Sequence, residues 1–290
     1  MKFCGFYKDG SQRLGVAGAC GGIIDITAMG FPDTLDEVIA GGAEALARVK
    51  DAVDAYKGRM LGLEGLEFAN VTRPGKIVCV GLNYKSHAEE TGGAAPERPV
   101  LFNKFNDALC PSGASVELPQ WQRCYDYEAE LVAVVGARAY NVAPEDAGRY
   151  IFGYTCGNDL SARDCQFLTG QWLSGKSFPG FAPAGPFVVT GDSFDPCGDN
   201  EIICRVNGAR VQRGVTSDMI FTCAETLSAA SRYFRLEPGD LIFTGTPAGV
   251  ILGKPKGTRT WLRPGDTVEV EIEGIGTLVT RLTGVLREQP

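Results

Sequence analysis

The stretch "DYEAELVAVVG", residues 126–136, constrains this chain more than any other. From Leu131 to Val135 it is continuously apolar and rich in valine, the pattern of a strand covered on both faces. Glu128 and Glu130 stand immediately ahead of that run. Side chains alternate along a strand, so the two carboxylates share one face with their Cβ atoms close together. Two buried like charges need a proton, a basic partner or a divalent cation to hold them. The alternative is a strand end that reaches water with two ordinary surface glutamates.

The rest of the chain bounds what such a strand can belong to. With 290 residues, 44% apolar and 22% charged, there is enough to build a sizeable core in one large domain or two unequal ones. The net charge is −7 and no block of Lys or Arg occurs, which argues against nucleic acid or anionic membrane surfaces as partners. The opening "MKFCGFYKDG" lacks the apolar core of a signal peptide, and no stretch approaches bilayer length, so a cytoplasmic protein is expected. Ten cysteines are present without a C-x-x-C pair, and Cys79 and Cys204 lie in apolar runs. They read as reduced small hydrophobes. His87 is the only histidine, which excludes a histidine-rich metal site within one chain.

Residues 1–70 read as a small α/β unit, with strands near 2–7, 14–17 and 22–26 and helical patterns at 35–39 and 43–56. The Pro-Gly turn in "TRPGK", 72–76, marks a boundary, and residues 71–290 form the second unit. Beyond the turn come many short strands separated by Gly, Pro, Asn and Asp, including a hairpin signal at Asn207-Gly208. Helices are expected only near 84–91 and 222–234, which predicts a mainly β (α+β) sandwich or roll. No P-loop and no strand-linked G-x-G-x-x-G is present.

Three constellations could carry chemistry. Asp159 closes the run "IFGYTCGND", and with Glu128 and Glu130 it would supply three carboxylates at strand ends, suited to a hard cation such as Mg²⁺, Mn²⁺ or Ca²⁺. In "NYKSHAEE", His87 and Glu90 are three apart, so on a helix the carboxylate can orient the imidazole as a general base; a surface pair is the alternative. Arg163 and Gln166 share a helical spacing suited to gripping a substrate carboxylate, Lys176 could stabilise an oxyanion, and Thr246 lies in the "TGTPAG" turn. Asp126 and Asp164 read as groups that support the ligands. The segment 84–95, with "ETGGAAPE" after the helix, has the composition of a mobile lid.

Over residues 72–286 the chain resembles the fumarylacetoacetate hydrolase family, through "KIVCVGLNYKSHAEE", "PVLFNKFNDAL", "DYEAELVAVVG", "GYTCGNDLSARDCQ", "GKSFPGFAPAGP", "TSDMIF" and "EPGDLIFTGTPAGV" in the family's order. The first 70 residues are similar, more loosely, to the small N-terminal domain of longer members. The resemblance implies a mixed β-sandwich roll, a homodimer, and Mg²⁺ or Mn²⁺ on Glu128, Glu130 and Asp159, with Ca²⁺ able to take the site in crystals. It also implies water activation by His87 and Glu90, with Arg163, Gln166, Lys176 and Thr246 around the substrate. Pro179, Asn106 and Asp107 depart from the family's pattern in stretches expected near the pocket.

Those implications favour hydrolysis of a carbon–carbon bond in a β-diketo acid of the acylpyruvate or fumarylpyruvate type. The same cation-stabilised enolate would serve an isomerase, a tautomerase or a decarboxylase acting on 2-hydroxymuconate-type diacids or oxaloacetate. A non-catalytic, metal-bound scaffold is the reading from another class.

Overall fold

The computed structural model describes residues 1–18, 21–90, 92 and 95–285. The chain opens with an antiparallel meander, β1 (Lys2–Lys8), β2 (Ser11–Ala17) and β3 (Ile23–Asp25), followed by α1 (Leu35–Ala40) and α2 (Gly42–Ala55). The short β4 (Glu67–Phe68) pairs back onto β1. Next come β5 (Ile77–Gly81), α3 (Lys85–Glu90), β6 (Val100–Lys104), β7 (Leu109–Cys110) and β8 (Ser115–Glu117). The middle of the chain forms β9 (Tyr125–Asp126), β10 (Ala129–Val135), α4 (Pro144–Ala147), β11 (Ile151–Asn158), β12 (Ser161–Ala162), α5 (Arg163–Gln166), α6 (Leu173–Lys176) and β13 (Ala182–Thr190). It ends with β14 (Glu201–Val206), β15 (Ala209–Val215), α7 (Cys223–Ser231), β16 (Leu241–Phe243), β17 (Thr267–Ile272) and β18 (Gly276–Thr283).

Local chemistry explains several boundaries. Asn207 and Gly208 both adopt positive φ, at 52° and 79°, which makes the tight turn that joins β14 to β15. Thr222 and Glu225 form a capping box that starts α7. The helices are shorter than expected, 85–90 and 223–231, and α4, α5 and α6 are single turns. One turn is too short to show a helical period in sequence, which is why only the spacing of Arg163 and Gln166 hinted at α5.

The strands form an eleven-stranded sheet with the path β3-β2-β1-β13-β11-β10-β16-β5-β6 and a five-stranded sheet β15-β14-β17-β18-β8. The molecule is therefore mainly β, a mixed sandwich with peripheral helices, as expected. β10 is central in the large sheet and every one of its residues is buried. Its two faces enter different cores. Leu131, Ala133 and Val135 pack with Ile202, Cys204, Val270 and Leu278 of the smaller sheet. Val132 and Val134 pack with Leu35, Val38 and Val49 of α1 and α2 and with Ile77 and Phe243. The unbroken apolar run follows from this three-layer arrangement.

The first 70 residues are built into the large sheet. β1 pairs antiparallel with β13, Phe3 opposite Val188, and Phe3, Leu14 and Val16 share a core with Val132 and Leu241. The described cysteines are all free, and no described helix is long and apolar enough to cross a bilayer.

Candidate active site

The antiparallel ladder between β10 and β11 brings the carboxylates together. It pairs Ala129 with Asn158 and Glu130 with Gly157, so Glu128 and Asp159 meet at the end of the ladder. Asp159 N donates to Glu128 O at 2.9 Å and Glu128 N donates to Asn158 Oδ1 at 3.1 Å. Glu128, Glu130 and Asp159 are buried, and one carboxylate oxygen from each lies within 4.8 Å of the others. Gly245 N donates to Glu130 Oε2 at 2.9 Å from a backbone with φ +95°; a Cβ there would meet Asn83 Cβ at 2.9 Å. Only glycine fits that turn.

Cations surround the trio. Lys176 Nζ lies 2.9 Å from Glu128 Oε2 and 2.6 Å from Asp159 Oδ2. Arg163 pairs with Glu128 at 2.6 Å and with Asp126 at 2.8 Å, and donates to Gln166 Oε1 at 2.8 Å. Burial alone would raise the Glu128 carboxyl, but Lys176 and then Arg163 overcome it and hold the group well below the usual carboxylate range. Glu130 goes the other way. Burial, then repulsion from Asp159 and Glu128, pushes it well above that range. Of the compensations open to this pair, a basic partner is in place at Glu128, and the upward push on Glu130 favours its protonated form.

A divalent cation suits the same residues. All three donors are carboxylate oxygens, the donor set hard cations such as Mg²⁺ and Mn²⁺ take, and the repulsion that raises Glu130 is what a dication would relieve.

His87 and Glu90 lie on α3, with His87 Nδ1 3.4 Å from Glu90 Oε2. His87 is buried and close enough to Glu128 to help lower its carboxyl. Both oxygens of Glu90 also accept from Gly249 N, at 3.0 and 3.1 Å. Thr246 Oγ1 donates to Ala129 O and accepts from Gln212 Nε2, both at 2.9 Å, so it is bound into the scaffold behind the trio. Arg163, expected to face a substrate carboxylate, has its guanidinium on Asp126, Glu128 and Gln166. Of the two supporting aspartates, Asp126 holds Arg163 and accepts from Ile251 N and Leu252 N, whereas Asp164 accepts from Arg123 N instead of meeting a ligand. Asn106 donates to Pro74 O at 2.6 Å, turning its amide to the boundary turn. Of the expected lid, 84–95, residues 85–90 form α3, with Ser86 bonded to Asp218 and Glu90 to Gly249 N; Thr91, Gly93 and Ala94 lie outside the described residues.

Two residues were missed by sequence reasoning. Lys104 ends β6 with its side chain fully buried; Nζ lies 2.5 Å from Asp159 Oδ1 and donates to the carbonyls of Leu160, Lys176 and Phe181 at 3.0, 2.6 and 2.6 Å. The signal was present, since a lysine ending the apolar strand "VLFNK" is the same anomaly as the glutamates. Gln212 joins Ala129 N to Thr246 and Pro247 O, and nothing in its alternating strand distinguished it.

Fold and site together define an enzyme scaffold built around a buried carboxylate trio on a mixed β-sandwich. A family profile described as "Fumarylacetoacetate (FAA) hydrolase C-terminal" matches residues 76–283. The chain belongs to the fumarylacetoacetate hydrolase family. It is 35% identical over 270 residues to the oxaloacetate tautomerase Fahd2a, mitochondrial, of Rattus norvegicus, covering 92% of this chain and 85% of that protein. It superposes on the crystal structure of a 5-carboxymethyl-2-hydroxymuconate delta-isomerase from Mycobacterium smegmatis with a TM-score of 0.78 and 31% identity, over 99% of this chain and 100% of that one. A maleylpyruvate hydrolase from Sphingobium sp. SYK-6, solved with manganese(II) and pyruvate, matches with a TM-score of 0.80 and 26% identity over 99% and 100%.

Proposed function

We propose that this chain is a divalent-metal-dependent tautomerase that interconverts the keto and enol forms of a small 2-oxo dicarboxylic acid, oxaloacetate. The observation that carries the reading is the likeness to the rat oxaloacetate tautomerase, 35% identical over 92% of this chain. Tautomerisation needs a group that moves one proton, and His87, buried near Glu128, supplies an imidazole for it.

Glu128, Glu130 and Asp159 would hold Mg²⁺ or Mn²⁺, which when bound would supply Lewis-acid activation of the 2-oxo acid. His87 then takes a proton from C3, the C3–H electron pair forms the C2=C3 double bond, and Lys176 supplies a proton to the C2 oxygen. Solvent returns both groups to their starting states. Arg163 fixes Glu128 and Asp126, Gln166 braces that guanidinium, and Thr246 holds β10 in register behind the trio. We take the working unit to be a homodimer. Acylpyruvate hydrolysis is the second reading, supported by the manganese-bound maleylpyruvate hydrolase.

Turnover on oxaloacetate, an acylpyruvate and a hydroxymuconate separates these readings. Tautomerisation should exceed acylpyruvate cleavage by about tenfold or more in kcat/KM, vanish with chelator and return with Mg²⁺ or Mn²⁺. Faster acylpyruvate cleavage would make the chain a hydrolase, and full activity after exhaustive metal removal would refute the cofactor. No turnover on any of the three would leave the scaffold.

A further inference from the structure

Helix α3 carries His87, yet it is only six residues long, too short to be stable by itself. Its position is set by what holds its ends. At the C-terminal end, Glu90 accepts from Gly249 N and packs where a Cβ on Gly253 would stand, 2.3 Å from Glu90 Cδ. At the N-terminal end the anchor comes from a distant segment, the turn 216–221 in "TSDMIF". Asn83 Oδ1 accepts from Phe221 N at 2.8 Å, and Asn83 O accepts from Ile220 N at 2.7 Å. Within the helix, one oxygen of Asp218 accepts from both Ser86 N, at 3.1 Å, and Ser86 Oγ, at 2.6 Å.

Ser86 precedes His87, so the Asp218 contact fixes the backbone from which the imidazole projects. We propose that Asp218 is a positioning residue: by gripping Ser86 through its amide and its hydroxyl, it sets the orientation of His87 over the carboxylate trio. The geometry is that of a helix cap supplied from elsewhere in the fold, one oxygen accepting from both the amide and the hydroxyl of Ser86. Asp218 touches neither the trio nor Lys176, so its effect must pass through α3. The catalytic consequence rests on His87 moving the proton as proposed above; the structural one does not.

The test combines hydrogen exchange with kinetics. Asp218→Ala should speed exchange of the amides in 85–90 by about tenfold and lower kcat for oxaloacetate tautomerisation by about tenfold, with KM within about twofold. Asp218→Asn, whose Oδ1 can still accept from Ser86, should recover most of both. In a His87→Ala background, Asp218→Ala should cost no further kcat, because two residues acting as a unit are not additive. Wild-type exchange and kcat in Asp218→Ala would overturn the proposal. So would an equal loss in the His87→Ala background, or no rescue by Asn. If Asp218→Ala does not fold, Ser86→Ala carries the same test, with faster exchange in 85–90 expected and wild-type exchange overturning. Should the wild-type protein fail to act on oxaloacetate, the functional reading falls, and exchange alone still decides whether Asp218 holds α3.

Discussion

Glu128 and Glu130 are two residues apart at the start of β10 and are pushed in opposite directions, Glu128 down by Lys176 and Arg163 against its burial, Glu130 up by burial and its acidic neighbours. The signs have consequences. The lowered group stabilises the fold above the ordinary carboxylate range, and that contribution is lost as pH falls through its folded value. The raised group contributes below that range and loses the contribution as pH climbs through its folded value. A cation on Glu130 competes with protons for a carboxyl that burial and its acidic neighbours push upward, so Mn²⁺ affinity should rise with pH by up to about tenfold per unit below the folded value of that carboxyl. Calorimetry at pH 6 in two buffers of different ionisation enthalpy should show about one proton released per Mn²⁺; zero would mean that Glu130 is already ionised. At Lys104, Lys104→Met leaves Asp159 buried without this partner and three carbonyls without their donor. A loss of about 3–5 kcal/mol is expected in urea titration of the metal-free protein. A change below about 1 kcal/mol would mean that Lys176 alone compensates Asp159.

Among the elements, β10 was legible because burial on both faces demands an unbroken apolar run, and Leu131–Val135 supplies one. The turns were legible too, since Asn207-Gly208 needs the positive φ it adopts. The role of β1 was not. Its sequence reads the same whether it edges a small separate sheet or extends a large one, and only the pairing with β13 decides. That pairing bears on the expected 1–70 and 71–290 units. A fragment 71–290 would expose the outer edge of β13 and strip Phe3, Leu14, Val16, Leu35 and Val38 from the core around Val132 and Val134. It should bind a hydrophobic dye and lack a cooperative melting transition, while the full chain melts in one step. A fragment that melts cooperatively at the full chain's temperature would establish residues 71–290 as a unit that folds without residues 1–70.

At the scale of the whole molecule, the sequence by itself determined the fold class, the carboxylate trio and the family. These are properties of local pattern: apolar runs of strand length, carboxylates where a buried strand should have none, and motifs in a fixed order. Tertiary structure alone decided how the charges are matched. Lys104, Asp126, Arg163 and Lys176 come from separate segments, and no spacing in the chain says which cation faces which carboxylate. It also decided the standing of Glu90 and Ser86, whose partners Gly249 and Asp218 lie more than a hundred residues away. Burial supplies the physical reason. In a low-dielectric interior every charge must find a partner, and which partner it finds is fixed by the packing of three layers that no single segment contains.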